Sequence, residues 1–309
     1  MNIAIPTQRL IIDKIAFTTP IPMEIRTDVL TNLANSDLRM EYSVRVHRNN
    51  NGRYANNYTI RVDPDNTVSI SAFPKRKSDN FLRVEFNPAK LDKTAKENLR
   101  NYLKRVVGLK RLKSIYFECR VTRLDLTVDI DTEYSEIYAY KPGAKYSEIF
   151  RDEEEVMLSQ VVGSEKSDYR ATLYNKCEEL GGDDLGDDLD DVFETRLELR
   201  LRNLGCSMAE IDEELMSKLY ELEFYDSKLL GDRRFSSIFT QTVYGSGINL
   251  ALDSCCNSNQ RRCYRRYLAD HSFDLLDPAQ LDFQSAKRQA LKFLISKGYQ
   301  QRFLSNKAA

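Results

Sequence analysis

Four segments of this chain alternate apolar and charged side chains with a period of two, a pattern that fits strands with one buried face and little else. In 121–130, Val121, Arg123, Asp125, Thr127 and Asp129 fall on one face, while Thr122, Leu124, Leu126, Val128 and Ile130 fall on the other. In 192–202, Glu194, Arg196, Glu198, Arg200 and Arg202 oppose Thr195, Leu197, Leu199 and Leu201. In 168–176, Arg170, Thr172, Tyr174 and Lys176 share a side, with Tyr169, Ala171, Leu173 and Asn175 opposite. In 81–87, Arg83, Glu85 and Asn87 oppose Leu82, Val84 and Phe86. Each strand therefore offers an apolar face to a core and keeps a charged one.

Shorter segments at 41–48, 54–62, 67–73, 155–162 and, with a break, 114–130 also read as strands, bounded by Asn, Asp, Gly and Pro. Two helices interrupt them. One covers 22–35 and opens with Pro22; the other covers 91–107, where Leu91, Ala95, Leu99, Tyr102, Leu103, Val106 and Val107 recur at helical spacing. After Gly205 the pattern changes. Ser207-Met208-Ala209-Glu210 is a capping box that predicts a helix to about Phe224, and 258–270 and 279–298 also read as helices. The expected fold is α+β, a mostly antiparallel sheet with covering helices followed by a mainly helical C-terminal region. The length of 309 residues suits two domains, which the change of pattern places at 1–205 and 206–309.

No stretch approaches the roughly 18 uninterrupted apolar residues of a transmembrane helix, and residues 1–10 carry no basic region followed by an apolar core. A cytoplasmic protein is expected. The six cysteines (Cys119, Cys177, Cys206, Cys255, Cys256, Cys263) lack the spacing of a zinc or redox motif and are expected to be reduced thiols. His47 and His271 are the only histidines, too few for a histidine-based zinc or nuclease centre. Any metal must then sit on carboxylates, which favours Mg2+ or Mn2+.

The net charge of -1 conceals a basic body with one acidic run. Nine acids and no Lys or Arg lie between Glu178 and Glu194, which leaves +8 on the rest of the chain. Residues 257–309 carry ten Lys or Arg against four Asp, with Arg261, Arg262, Arg265 and Arg266 set around Tyr264 and Tyr267. Such a cluster is either a solvated helix face or a footprint for phosphate backbones, with aromatic rings available for stacking.

Taken one strand at a time, the charged faces are the solvated side of a sheet. Taken together they offer acids flanked by arginines on several strands, with a tyrosine and a lysine two apart on another. That is the inventory for metal-assisted phosphoryl transfer to a tyrosine: carboxylates hold a divalent cation, and the cation with nearby Arg and Lys stabilises the charge built up at phosphorus.

The same residues resemble a family. The run from Gly163-Ser164-Glu165-Lys166-Ser167 through Arg170, Tyr174, Lys176 and Glu179 is similar to the GS-x-K-S…R-x-x-x-Y-x-K-x-x-E block of rolling-circle replication initiators. Arg123-Leu124-Asp125 is similar to their R-x-D strand, and Arg196-Leu197-Glu198-Leu199-Arg200 to their later R-x-E-x-R strand, in the same order. Glu85-Phe86-Asn87-Pro88-Ala89-Lys90 resembles a segment of the filamentous-phage gene II branch, whose Gly-His-Asn element is absent here.

The resemblance implies a nicking endonuclease domain over 1–205 and a DNA-binding or accessory region over 206–309. Tyr174 would attack the scissile phosphate and stay bound to the 5′ side, leaving a 3′-OH primer, with Tyr169 as the rival nucleophile. Asp125 and Glu198 would be ligands of Mg2+ or Mn2+, with Glu85 or Asp129 as a third. Arg170 and Lys176 would clamp phosphate. Arg123, Arg196, Arg200 and Lys166, together with the four arginines of 261–266, would contact DNA. Origin DNA is the implied partner, with a host helicase and a homodimer as further ones. Two other readings fit the same residues, a DNA-binding or scaffolding protein without chemistry, and a relaxase-type nickase of a conjugative element.

Overall fold

The alternating segments become strands in the computed structural model, which describes residues 6–48, 52–132, 134, 137–176, 194–254 and 257–295. The acidic run over 178–193 and the cysteines Cys177, Cys255 and Cys256 lie outside the described residues. The fold is α+β: ten strands form a large antiparallel sheet, two more make a separate pair, and the C-terminal region is helical. No helix among the described residues is long and apolar enough to cross a membrane.

The chain divides into two compact units, each assembled from separated segments. The first comprises Met1–Ile11, Leu126–Leu201 and Glu213–Phe283; the second comprises Ile12–Asp125, Arg202–Asp212 and Gln284–Ala309. Neither coincides with 1–205 or 206–309. The reason is that β1 (Gln8–Thr19) and β6 (Arg120–Ile130) are long enough to give residues to both units.

In the second unit, β2 (Arg45–Arg48), β3 (Tyr54–Arg61), β4 (Thr67–Pro74), β5 (Leu82–Phe86) and β1 lie side by side in that order. Their registers are antiparallel, with Ile70 opposite Val84 and Phe17 opposite Val84 on the next pair, so the apolar residues of neighbouring strands share one buried face. The opposite face carries Asn57, Ser71, Arg83 and Thr18, which also stand opposite one another in the ladders. Helix α1 (Met23–Ala34) and helix α3 (Lys93–Val107) bury Val29 and Leu33, and Leu99, Tyr102, Leu103 and Val106. Helix α3 starts where the Asp92 side chain accepts from Ala95 N at 2.7 Å and stops at Gly108, whose φ of 80° is left-handed. Asn98 donates from α3 to the Val62 carbonyl just past β3.

In the first unit, the C-terminal half of β6 is followed by β11 (Thr195–Arg202), β10 (Tyr169–Asn175), β9 (Met157–Val162) and β8 (Ser147–Arg151). The register of β10 on β11 sets Leu173 opposite Leu197 on the core side, and Tyr174 opposite Arg196 and Arg170 opposite Arg200 on the charged side. Strands β7 (Ile137–Tyr140) and β12 (Glu223–Asp226) make the separate pair. Helix α5 (Ser237–Ser254) packs on β8; it kinks at Gly247, whose φ is 84°, where an added Cβ would come within 2.9 Å of Ser147 Oγ.

Several boundaries differ from the expected ones. The expected strand over 41–48 is shorter: Glu41 ends helix α2 (Ser36–Glu41), and only Arg45–Arg48 form strand. Residues 114–118 belong to helix α4 (Leu109–Glu118). The capping box at Ser207 does form, with Ser207 N donating to Glu210 Oε2 at 2.7 Å and Glu210 N to Ser207 Oγ at 3.3 Å. It opens only a turn, followed by a 3-10 helix (Glu213–Glu221) and β12. Helix α5 is apolar on more than one side and contains Gly245 and Gly247, so its sequence lacks a clean stripe. Helix α6 (Ser258–Ala269) is as expected, and α7 (Phe283–Leu291) is shorter than 279–298.

Gly163 closes the turn into β10. Its φ is 92°, its N–H donates to the Tyr146 carbonyl at 2.9 Å, and an added Cβ would stand 2.4 Å from the Tyr169 carbonyl oxygen. Gly163→Ala therefore has to distort the backbone that sets the β9 and β10 register, at a cost of about 1–3 kcal/mol. Urea titration measures this, and equal midpoints for variant and wild type would mean that the turn relaxes without strain.

Candidate functional site

The charged face of the first unit is organised around one carboxylate. Asp129, on β6, has a side chain with 0% exposure, which an isolated anion could not tolerate. Arg196 on β11 donates from Nε to Asp129 Oδ1 at 2.6 Å and from a terminal nitrogen to Oδ2 at 3.1 Å. Lys176, just past β10, donates to Oδ2 at 3.0 Å, and Arg9 on β1 donates to the same oxygen at 2.9 Å. Burial pushes the Asp129 carboxyl up, but the Arg196 hydrogen bonds and charge, with those from Arg9 and Lys176, outweigh it and hold the group below the usual carboxylate range.

The second feature is the pair Tyr174 and Glu198. Residues 172, 174 and 176 on one strand and 196, 198 and 200 on the other point to one side, so the β10 and β11 register brings the phenol beside both Arg196 and Glu198. The Tyr174 hydroxyl donates to Glu198 Oε1 at 2.9 Å. Burial first, and then the Glu198 charge and its hydrogen bond, raise the phenol well above its ordinary value, while Arg196 pulls the other way. At neutral pH Tyr174 is therefore a neutral phenol, hydrogen-bonded to Glu198.

Four residues further along β10, about 13 Å at strand rise, Arg170 stands directly opposite Arg200. Like charges in direct cross-strand register repel. Arg170 Nε is buried and meets no hydrogen-bond partner among the described residues. An anion on this face would relieve both conditions.

Tyr169 occupies a different environment. Its hydroxyl donates to the Lys218 carbonyl at 3.2 Å, Lys141 Nζ sits 4.6 Å from its ring centre, and burial raises its pKa. It is a packing residue on the apolar side of β10. Lys166 lies exposed in the turn that precedes β10.

Of the carboxylates predicted as metal ligands, Asp125, Glu85 and Asp129 accept from cationic side chains and Glu198 accepts from the Tyr174 hydroxyl. Asp125 and Glu85 belong to the second unit, Asp129 and Glu198 to the first. Arg123 Nε donates to Asp125 Oδ1 at 2.8 Å and Oδ2 at 3.1 Å. Glu85 accepts from Arg83 and lies 3.9 Å from Lys14 Nζ. Burial raises the Glu85 carboxyl, and the Arg83 and Lys14 charges more than offset it. Among the described residues no group of three or more His, Cys, Asp or Glu side chains is placed to hold a metal ion. Asp129, whose oxygens already accept from three cations, does not fit as a ligand in this arrangement.

The basic cluster of α6 is divided in its roles. Arg261 donates to the Leu252 and Asp253 carbonyls at 2.8 and 2.9 Å, closing the end of α5. Tyr264 is buried against Phe235 and Phe239, and Tyr267 donates to Asp232 at 2.8 Å with Arg234 over its ring. Neither ring is a platform for bases. Arg265 bonds the Tyr140 hydroxyl, and Arg262 and Arg266 are exposed. Sequence reasoning missed Arg9, because the segment that forms β1 was not among those read as strands.

No family model matches this chain, and no curated protein matches it. Among solved structures it is similar to a rolling circle replication initiator protein from Geobacillus stearothermophilus, with 16% identity and a TM-score of 0.34 over 63% of this chain and 74% of that one. A likeness of that size leaves the site to be judged on its own geometry.

Asp129→Asn removes the anion that three cations share and should cost about 3–5 kcal/mol at neutral pH. Because the Asp129 pKa is depressed in the folded protein, its contribution is full above the unfolded carboxylate value near 4 and is lost as pH falls through the folded one. Denaturant titrations should thus show wild type and Asp129→Asn converging below about pH 4. A gap that persists in acid would assign the loss to packing.

Proposed function

We propose that this protein nicks one strand of DNA by attack of Tyr174 on a phosphodiester, acting as an initiator of rolling-circle replication. The observation that carries this reading is the 2.9 Å hydrogen bond from the Tyr174 hydroxyl to Glu198, made on a face that also holds Arg196, Arg170 and Arg200. The order of the sequence blocks supports the same reading.

In the proposed step Glu198 accepts the phenolic proton as Tyr174 Oη bonds to phosphorus. The bond from phosphorus to the 3′-oxygen breaks, and that oxygen takes a proton from protonated Glu198 or from water to become the 3′-OH. The 5′ side remains as a phosphotyrosine ester. The reverse sequence rejoins the strand without ATP, since one phosphodiester replaces another. Arg170, with its unsatisfied Nε, supplies a donor to a phosphate oxygen of the same strand, and Arg196 balances the charge that develops beside Glu198. Lys176 and Arg9 act by position: anchored on Asp129, they fix the Arg196 fork that faces Tyr174.

A single-stranded oligonucleotide spanning the nick and labelled on its 3′ side should transfer its label to the protein in a denaturing gel. Tyr174→Phe should abolish the adduct, Tyr169→Phe should retain it, and Glu198→Gln should slow its formation by about 10²–10⁴-fold. An adduct in Tyr174→Phe that disappears in Tyr169→Phe would reverse the assignment. DNA binding without adduct or nicking in the wild type would make this a DNA-binding protein with no chemistry. Running the assay in chelator and then with Mg2+ or Mn2+ separates an arginine-based site from one in which Asp125, Glu198, Glu85 and Asp129 regroup around a cation.

A further inference from the structure

The polar face of the second unit holds a cleft of about 380 Å³ whose wall carries four arginines, Arg53, Arg83, Arg123 and Arg202, and no Asp or Glu. It adjoins a smaller cavity of about 180 Å³, with which it shares Thr18, Arg53, Tyr54, Thr122 and Asn203 and to which Arg120 is added. The one carboxylate on either wall is Asp79, and it is bound to Arg53.

Three of these guanidinium groups are held by carboxylates on one edge. Arg53 donates to Asp79 at 2.7 and 2.9 Å, Arg83 to Glu85, and Arg123 to Asp125. A guanidinium has five N–H donors, so each fork is fixed by its partner and keeps donors for a second anion. Glu85 and Asp125 do not line the cleft, so what it presents to a ligand are guanidinium N–H donors, each partly balanced by the carboxylate that holds it. The hydroxyls on the wall are turned to the protein: Thr122 donates to the Ala16 carbonyl at 3.2 Å, and Ser71 to Asn57 Oδ1 at 2.8 Å. Tyr54 is buried, with its hydroxyl donated to the Asn80 carbonyl at 3.1 Å, so it offers no ring for stacking. Asn203, on both walls, has a left-handed φ of 54°, a conformation that Asn adopts readily.

We infer that this cleft is a second nucleic-acid site, which takes the sugar-phosphate backbone of a single strand without regard to sequence. Several fixed guanidinium forks, no aliphatic or stacking surface and two adjoining cavities suit successive phosphates along a chain better than a single nucleotide with its base. The inference rests on the reading of a nucleic-acid partner given above, though not on the tyrosine chemistry.

The test is fluorescence anisotropy of a labelled single-stranded oligonucleotide against salt, in the full-length Tyr174→Phe protein. Arg202→Gln and Arg53→Gln should each weaken binding several-fold and lower the log-log salt slope by about 0.7, the value for one phosphate contact on a single strand. Arg202→Lys and Arg53→Lys, which keep the charge, should preserve the slope and also guard against misfolding. A slope unchanged in both Gln variants overturns the inference. So does ATP or inorganic phosphate binding that is lost in Arg202→Gln while strand binding is kept, since the cleft would then serve a free phosphate ligand. A slope change here without any adduct in the wild type would remove the nicking mechanism and leave this site in place.

Discussion

A carboxylate with no contact with water has to be matched by positive charge, and in this protein that requirement falls on Asp129. Desolvation alone would neutralise it; Arg196, Arg9 and Lys176 keep it ionised and bring together residues from β1, β6, β11 and the end of β10. Arg196 is thereby fixed as a bidentate fork, and its remaining edge faces Tyr174. The reactive candidate is thus held by a chain of contacts that starts from a buried anion.

The ladder of β10 on β11 does the rest. Antiparallel register puts Thr172 opposite Glu198, Tyr174 opposite Arg196 and Arg170 opposite Arg200, while Leu173 and Leu197 anchor the other face in the core. A slip of one residue would bury the charges and expose the leucines, so the hydrophobic face enforces the geometry of the polar one. The second unit uses its arginines differently. There Arg123 with Asp125 and Arg83 with Glu85 pair along a single strand, two residues apart, which fixes each fork locally.

Each of the acids predicted as metal ligands also has a protein partner of its own. Alternation places Asp125, Asp129 and Glu198 on charged faces, but alternation carries no information on which cation each one meets. Asp129 is saturated by donors, Asp125 is held by its own strand neighbour, and Glu198 accepts a phenol. The aromatic rings in the basic helix were likewise open in sequence and closed in structure, because Phe235 and Phe239 from a distant segment cover Tyr264.

The α+β class, the strands carrying Tyr174, Glu198, Asp125 and Asp129, and the side of each strand on which those residues lie were all legible in the amino-acid pattern. Period-two alternation is a local property, written within a handful of neighbouring residues, and it set Tyr174 with Arg170 and Lys176 and against Tyr169. Tertiary structure was needed to bring Arg9 on β1 to Asp129, to set Glu198 2.9 Å from the phenol, and to line one cleft with Arg53 and Arg202. It also decided that β1 and β6 divide their residues between two units. These depend on strand order and register between segments far apart in the chain, which are set by burying apolar faces together, and a face pattern is the same whichever partner it finds.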